Sequence, residues 1–256
     1  MYRPTRTLIT GASAGIGAAY AHAFAARGSD LVLVARRTDR LRALAAELEA
    51  AHGIRAEVHT ADLSLPGAGR ALRAAVDGEV DAVINNAGFG VHSLLADTDP
   101  ELLEREIAVD VTALVDVTRA FLPGMLERRR GAIVNVASTA AFQPIPRMAV
   151  YGASKAFVLS FTRAVWDEAR RHGVKVLAVA PGATRTEFFD VVGTEAAAVG
   201  RYQTPEDVVR TTLRALDRGR TPPSVVSGTV NKLGAWVTRF VPAGTLTAAT
   251  GRLVSR

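Results

Sequence analysis

Thr7-Leu8-Ile9-Thr10-Gly11-Ala12-Ser13-Ala14-Gly15-Ile16-Gly17 is the stretch on which the fold turns. Its first four residues are apolar or β-branched, as a buried strand requires. The glycines follow at intervals of four and two, and an alanine-rich helical pattern then runs on to Arg27. A glycine-rich strand-to-helix turn lets backbone approach a phosphate, while free N–H groups and the helix dipole hold its charge. The spacing is not the common G-x-G-x-x-G, and with 22 glycines in the chain a plain structural turn remains the alternative reading.

Outward from this unit the same alternation repeats. Further strands are predicted at Leu31–Ala35, Ala56–Ala61, Ala82–Asn85, Ala132–Ala137, Val174–Ala180 and Ser224–Ser227. Most are continuously apolar rather than alternating, the mark of a parallel sheet covered on both faces. Helical patterns lie between them at Gly15–Arg27, Arg40–Ala51, Ala68–Val76, Glu101–Arg129, Tyr151–Arg171 and Pro205–Arg218. Repeated βα units make an α/β, doubly wound parallel sheet of about seven strands the expected fold. No Pro/Gly/Ser linker or internal repeat divides residues 1–256, so one domain is expected. Thr204-Pro205 is a good helix start, and Phe188–Gln203 reads as an irregular, mobile loop.

Composition narrows the function classes. The 256 residues are 48% hydrophobic and 22% charged, which excludes a disordered chain. There is no cysteine, so disulfides, thiolate metal sites and a cysteine nucleophile are out; a reducing, cytoplasmic setting is expected, and no metal site. Net charge is +6, and all but three of the 31 basic residues are arginines. That allows an acidic or phosphorylated partner, but no helix shows a basic face with aromatic platforms, so no nucleic acid is expected. The uncharged stretch Thr7–Ala26 holds too many small and polar residues for a signal peptide or membrane span.

Two sites then carry chemistry. After the second strand the chain reads Ala35-Arg36-Arg37, where a dinucleotide fold would place Asp or Glu for a ribose 2′-hydroxyl. A guanidinium suits a 2′-phosphate, which points to NADP; a solvated arginine pair is the bland alternative. Tyr151 and Lys155 stand four apart at a helix start, on one face. A phenol titrates near 10, and an adjacent ammonium, with a positive nicotinamide ring, is expected to bring it toward neutrality. Ser138 closes a strand at the carboxyl end, where such sheets bind ligands, and its hydroxyl is placed to hold a carbonyl oxygen.

Together these residues resemble the short-chain dehydrogenase/reductase superfamily, in its short single-domain, NADP-preferring bacterial branch. The matching motifs are Thr10 to Gly17, Asp62-Leu63, Asn85-Asn86-Ala87-Gly88, Ser138, Tyr151-Gly152-Ala153-Ser154-Lys155, and Pro181-Gly182-Ala183-Thr184-Arg185-Thr186. The resemblance implies a Rossmann-like fold, a nicotinamide cofactor, and hydride transfer to or from a carbonyl or alcohol carbon. It implies Tyr151 as acid/base, Lys155 gripping the nicotinamide ribose, and Ser138 orienting substrate. It also implies a cofactor groove of Gly11, Ser13, Ala14, Gly15, Ile16, Gly17, Arg36, Arg37, Asp62, Leu63, Asn85, Ala87, Gly88, Pro181, Gly182, Thr184 and Thr186. One position departs from the pattern: Asp110 stands where the family carries an asparagine. On helical spacing it falls within the stripe of Leu103, Ile107, Leu114, Val117 and Phe121, so it is expected inside, paired with Lys155 or protonated.

The expected activity is therefore NADPH-dependent carbonyl reduction or its reverse; a catalytically weak NADP-binding regulator is the alternative. Phe89, Val91, His92, Leu94, Leu95, Phe142, Pro144, Phe188, Phe189 and Val192 are expected to border the nicotinamide, with 187–203 as substrate loop, which favours a hydrophobic ketone or aldehyde. Arg147 is a candidate for meeting a carboxylate or acyl carrier instead. In the C-terminal segment 221–256, Val230, Leu233, Val237 and Phe240 or Val241 have helical spacing. That stripe is expected to pack on its own domain or a second subunit rather than a membrane. The resemblance implies a homodimer or homotetramer joined through the long helices.

Overall fold

The computed structural model describes residues 1–193 and 202–254. Seven strands form one parallel sheet: β1 (Arg6–Thr10), β2 (Asp30–Ala35), β3 (Ala56–Thr60), β4 (Ala82–Asn85), β5 (Gly131–Val136), β6 (Val174–Ala180) and β7 (Ser224–Val226). Their order is β3-β2-β1-β4-β5-β6-β7. The chain therefore winds outward twice from the centre, and the direction of winding reverses between β1 and β4. Loops leaving the carboxyl ends of those two strands part to opposite faces, which opens a crevice there.

The continuous apolar runs of the central strands follow from burial on both faces. One layer packs α1 (Gly15–Ala25), α2 (Thr38–His52) and α8 (Pro205–Leu216) on the sheet through Tyr20, Phe24, Leu41, Leu48, Val208 and Leu216. The other packs α3 (Ala68–Ala75), α5 (Leu114–Glu127) and α6 (Ala149–Arg170) through Leu72, Val117, Phe121, Met125 and Val165. Truncating a side chain such as Leu41 or Phe121 to alanine costs about 2–5 kcal/mol. The edge strand β3 is covered less fully, with Ala56, Val58 and His59 half-buried and Glu57 and Thr60 exposed. Thr204 caps α8 as its sequence predicts, in a reciprocal capping box with Asp207.

Three expectations need correction. The helix predicted over Glu101–Arg129 is not continuous: α4 (Pro100–Ile107) passes into a π turn over Ala108–Ala113 before α5 begins. A π turn holds an extra residue, so the buried stripe shifts register. Ile107 consequently points outward at 45% exposure, while Glu106 is fully buried. Next, Phe188–Val192 forms a short helix, α7, where an irregular loop was expected to begin; 194–201 lie outside the described residues. Last, the chain ends in α9 (Thr229–Val237) and α10 (Ala243–Val254). Val230, Leu233, Trp236, Val237 and Phe240 are all exposed, so of the two expected placements the stripe does not take packing on its own domain, and the second-subunit alternative stands untouched. Among the described residues, no helix is long and apolar enough to cross a membrane.

Candidate active site

The crevice at the β1/β4 reversal is a cleft of about 810 Å³. At its floor β1 ends in Thr10, whose hydroxyl accepts the Asn86 and Ala87 amides at 3.0 Å. The Asn86 side chain donates back to the carbonyls of Thr10 and Gly11. These bonds pin the glycine turn to the end of β4. Gly11 and Gly15 hold left-handed φ values of 66° and 54°, which a side chain resists. Gly17 approaches so closely that a Cβ would lie 2.2 Å from the Gly11 carbonyl. Ala14 leaves the start of α1 without a side-chain cap, so its first amides face the cleft unclaimed by any side chain. Such a turn fits a diphosphate.

Of the predicted groove residues, Gly11, Ser13, Ala14, Gly15, Ile16, Arg36, Arg37, Asp62, Leu63, Ala87, Gly88, Pro181, Gly182, Thr184 and Thr186 line this cleft. Gly17 does not; its part is to let α1 sit tightly on the turn. Asn85 does not either. It is buried under the sheet's end, donating to Thr118 at 3.0 Å and to Asn135 at 2.8 Å, and Asn135 donates on to Thr162. Asn85 is thus a strut between β4, β5 and the helices behind them, while its neighbour Asn86 faces the cleft. Asp62 is held ionised below the usual carboxylate range by the Ser64 amide and hydroxyl, at 2.9 and 2.8 Å, with Arg36 and Arg105 adding attraction.

Arg37 is not a free cation. It donates to Ser13 at 3.1 Å and pairs with Glu187 at 2.7 Å, and Arg40 reaches the other oxygen of the same carboxylate. The two hydrogen bonds hold Glu187 below its ordinary value. Arg40, in the first turn of α2, was not among the site residues expected from the sequence.

At the opposite end, β5 delivers Ser138 and α6 delivers Tyr151 and Lys155, and all three line the cleft. Ser138 accepts the Ala140 amide at 3.1 Å, capping a 3₁₀ turn over Thr139–Phe142, and its hydroxyl also bonds the Tyr151 phenol. The Lys155 ammonium stands 5.4 Å from the centre of the Tyr151 ring. Behind it lies Asp110, fully buried, 2.8 Å from the Lys155 nitrogen. The Phe89 amide donates to the other Asp110 oxygen at 3.0 Å. The inward, paired placement expected of Asp110 is what the structure has. Gly88 makes room for the pair, since a Cβ there would lie 2.9 Å from both the Asp110 oxygen and the Lys155 nitrogen.

The chain's own groups set where the phenol starts before any cofactor charge is added. Burial raises the Tyr151 phenol, and Asp110 and Glu106 raise it further; Lys155 and the Ser138 hydrogen bond pull it down but do not win. Unaided, the chain holds Tyr151 above its ordinary value of 10, as a proton-bearing phenol. Burial lowers Lys155, but attraction from Asp110 and Tyr151 outweighs it, so the ammonium persists.

A match to the short chain dehydrogenase family model spans residues 5–196. The chain belongs to the short-chain dehydrogenase family. It is 41% identical over 204 residues to a sulfoacetaldehyde reductase of Chromohalobacter salexigens, covering 76% of this chain and 79% of that protein. A short-chain dehydrogenase from Sphingobium yanoikuyae, solved with NADPH, is 36% identical with a TM-score of 0.81, over 92% and 93% of the two chains. A 7β-hydroxysteroid dehydrogenase structure superposes with a TM-score of 0.86 at 28% identity, over 97% of each chain.

In this dehydrogenase the far wall of the cleft is mainly apolar. Phe89, Val91, His92, Phe188, Phe189 and Val192 line it as predicted, and Phe188 packs on Tyr151 with ring centres 5.3 Å apart. Phe142 and Pro144 do not line it, and Leu94 and Leu95 border a separate small cavity together with Arg147. Met148, Thr250 and Val254 complete the wall, and the Val254 carbonyl lies 3.0 Å from His92. The sequence reading missed these C-terminal residues. Thr250 and Val254 lie four apart on α10, but no local pattern says what that face covers.

Proposed function

We propose that this short-chain dehydrogenase reduces an uncharged, largely hydrophobic ketone or aldehyde, using NADPH in preference to NADH. One observation carries the reading: Ser138, Tyr151 and Lys155 share a single cleft with the glycine turn and a cluster of arginines. When bound, the nicotinamide cofactor would supply the hydride. The turn amides at Gly15 and Ile16 would hold its diphosphate, Asp62 and Leu63 its adenine end, and Thr184 and Thr186 its carboxamide. Arg36 and Arg37, with Ser13 between the glycines, would take a 2′-phosphate, since fixed guanidinium groups recognise a dianion that a carboxylate repels.

The protein's own groups then do the acid–base work. Ser138 and Tyr151 donate hydrogen bonds to the substrate oxygen, which stabilises the negative charge growing there. Tyr151 gives that oxygen its proton. A phenol held above 10 is fully loaded at neutral pH, which suits the reductive direction. Lys155, kept charged by Asp110, stabilises the phenolate left behind. Substrate class follows from the far wall. Arg36 and Arg105 lie near Asp62, Arg37 is paired with Glu187, and Arg147 borders a different cavity, so no described unpaired cation besides Lys155 is offered to an anionic substrate. In this respect the cleft is unsuited to a sulfonate-bearing aldehyde.

A panel of carbonyl compounds run with NADPH and with NADH tests the reading. Turnover of apolar ketones or aldehydes, faster with NADPH at equal concentration, is expected. A panel in which only anionic substrates react, or in which NADH serves better, overturns it.

A further inference from the structure

Between the cleft and the smaller cavity lies a carboxyl group that the chemistry above leaves idle. Glu106, the penultimate residue of α4, is wholly buried, and among the described residues only a weakly placed Val91 amide offers its carboxyl a hydrogen bond. An ionised carboxylate in that position is expensive. Asp110 faces it from one turn further along the same helical run, and Lys155 and Tyr151 from α6. Arg147, in the loop before α6, lines the small cavity with it. Burial first, and then repulsion from Asp110, push the Glu106 carboxyl up to about 7, against the Val91 amide and the attraction of Lys155.

The cavity is about 100 Å³ and is lined by Val91, Ser93, Thr98, Glu106 and Arg147 among others. At about 30 Å³ per molecule it has room for a few waters. Of its lining residues only Val91 also borders the cleft. The Glu106 oxygens themselves are closed to water, so the carboxyl acts on the site through its charge.

We propose that Glu106 is a positioning residue for proton transfer: its charge, set beside Asp110 and Lys155, governs how tightly Tyr151 holds its proton. The inference rests on the carbonyl-reductase reading. With Glu106 neutral, Lys155 answers to one carboxylate, Asp110, and its field acts on the phenol. With Glu106 ionised, a second negative charge offsets that field, and Tyr151 becomes a weaker acid. Reduction then slows as pH rises through the titration of Glu106, while the cleft remains filled. In the return direction the same charge makes Tyr151 a stronger base.

The test compares the pH dependence of kcat for NADPH-dependent reduction in wild type and Glu106→Gln. Wild type is expected to lose activity across an inflection near 7, about tenfold for each unit by which the phenol rises at unit Brønsted slope and less at smaller slopes. Glu106→Gln is expected to run flat through that window. An inflection that survives the substitution overturns the proposal. Difference infrared spectroscopy of the carboxyl C=O stretch supplies a readout that needs no turnover. A protonated carboxyl band should titrate near 7 in wild type, with or without NADPH, and vanish in Glu106→Gln but not in Asp110→Asn. Absence of that band in wild type also overturns the proposal. Failure of every carbonyl to turn over with the band present would count against the reductase reading alone.

Discussion

Replacing Glu106 with glutamine removes a charge that the fold disfavours, and the size of the effect follows from its titration. The carboxyl rises from an ordinary 4.5 to about 7 on folding. At about 1.36 kcal/mol per unit, that is about 3 kcal/mol. The sign comes from the direction of the shift. A carboxyl whose folded value is raised contributes its full stability below 4.5, where both states are protonated on folding. It loses that contribution progressively toward 7, as the unfolded chain ionises and the folded one cannot. Glutamine keeps the shape and does not titrate. The stability of Glu106→Gln relative to wild type should therefore climb by about 3 kcal/mol between about pH 4 and pH 8. In a chain of this size that is about 6–12 °C in Tm. Urea unfolding of both proteins across the pH series reads the difference directly, with other titrations common to both cancelling. A difference that stays level within about 0.5 kcal/mol would mean that Glu106 is ionised and satisfied in the fold, contrary to its surroundings.

Other perturbations probe the neighbouring groups. Gly88→Ala places a methyl 2.9 Å from the Asp110 oxygen and the Lys155 nitrogen, so it should separate the pair and lower kcat by about 10²-fold or more; near-normal kcat would refute the tight fit. Asp110→Asn should lower the titrations of both Lys155 and Tyr151, moving the pH–rate profile to lower pH, and should cost about 3–5 kcal/mol of stability by leaving a buried ammonium unpaired. Coincident pH–rate curves for Asp110→Asn and wild type would leave the carboxylate without an electrostatic role. Glu187→Gln frees Arg37, the partner that faces the expected phosphate, and since an exposed pair is worth about 0.2–1 kcal/mol, NADPH should bind up to about fivefold more tightly at low salt; unchanged affinity would show that Glu187 does not compete with the phosphate.

How far the sequence carried can be judged residue by residue. Strand positions were legible because strands covered on both faces leave an unbroken apolar record, and β4 and β6 begin and end at the predicted residues. The glycine turn, Ser138, Tyr151 and Lys155 were legible because each needs a particular residue type at a fixed spacing from an element boundary. Asp110 was legible as an inward carboxylate from the apolar residues that share its helical face. Glu106 stands four before Asp110 and so shares its face, but the stripe was phased through Leu103 and Ile107, and the π turn over Ala108–Ala113 leaves Ile107 exposed instead. Asn85 and Asn86 were exchanged in role for a related reason. Asn85 is the last residue of β4 and Asn86 the first beyond it, and which of two adjacent asparagines faces the cleft depends on where the pleat ends. The wall that α10 contributes depends on long-range packing, which periodicity cannot see, as does the exposure of the α9 stripe, where Trp236 and Phe240 stack in the open with ring centres 4.8 Å apart.

The central claim is that Tyr151 delivers the proton in a cleft built to hold a nicotinamide cofactor. Single-turnover oxidation of NADPH, in the presence of a ketone identified by the panel, measures this most directly when wild type is compared with Tyr151→Phe. Tyr151→Phe should bind NADPH with wild-type affinity and oxidise it about 10²–10⁴-fold more slowly. Oxidation at the wild-type rate without the hydroxyl would contradict the account, and binding without oxidation in wild type would leave a protein that senses the cofactor but does not use it.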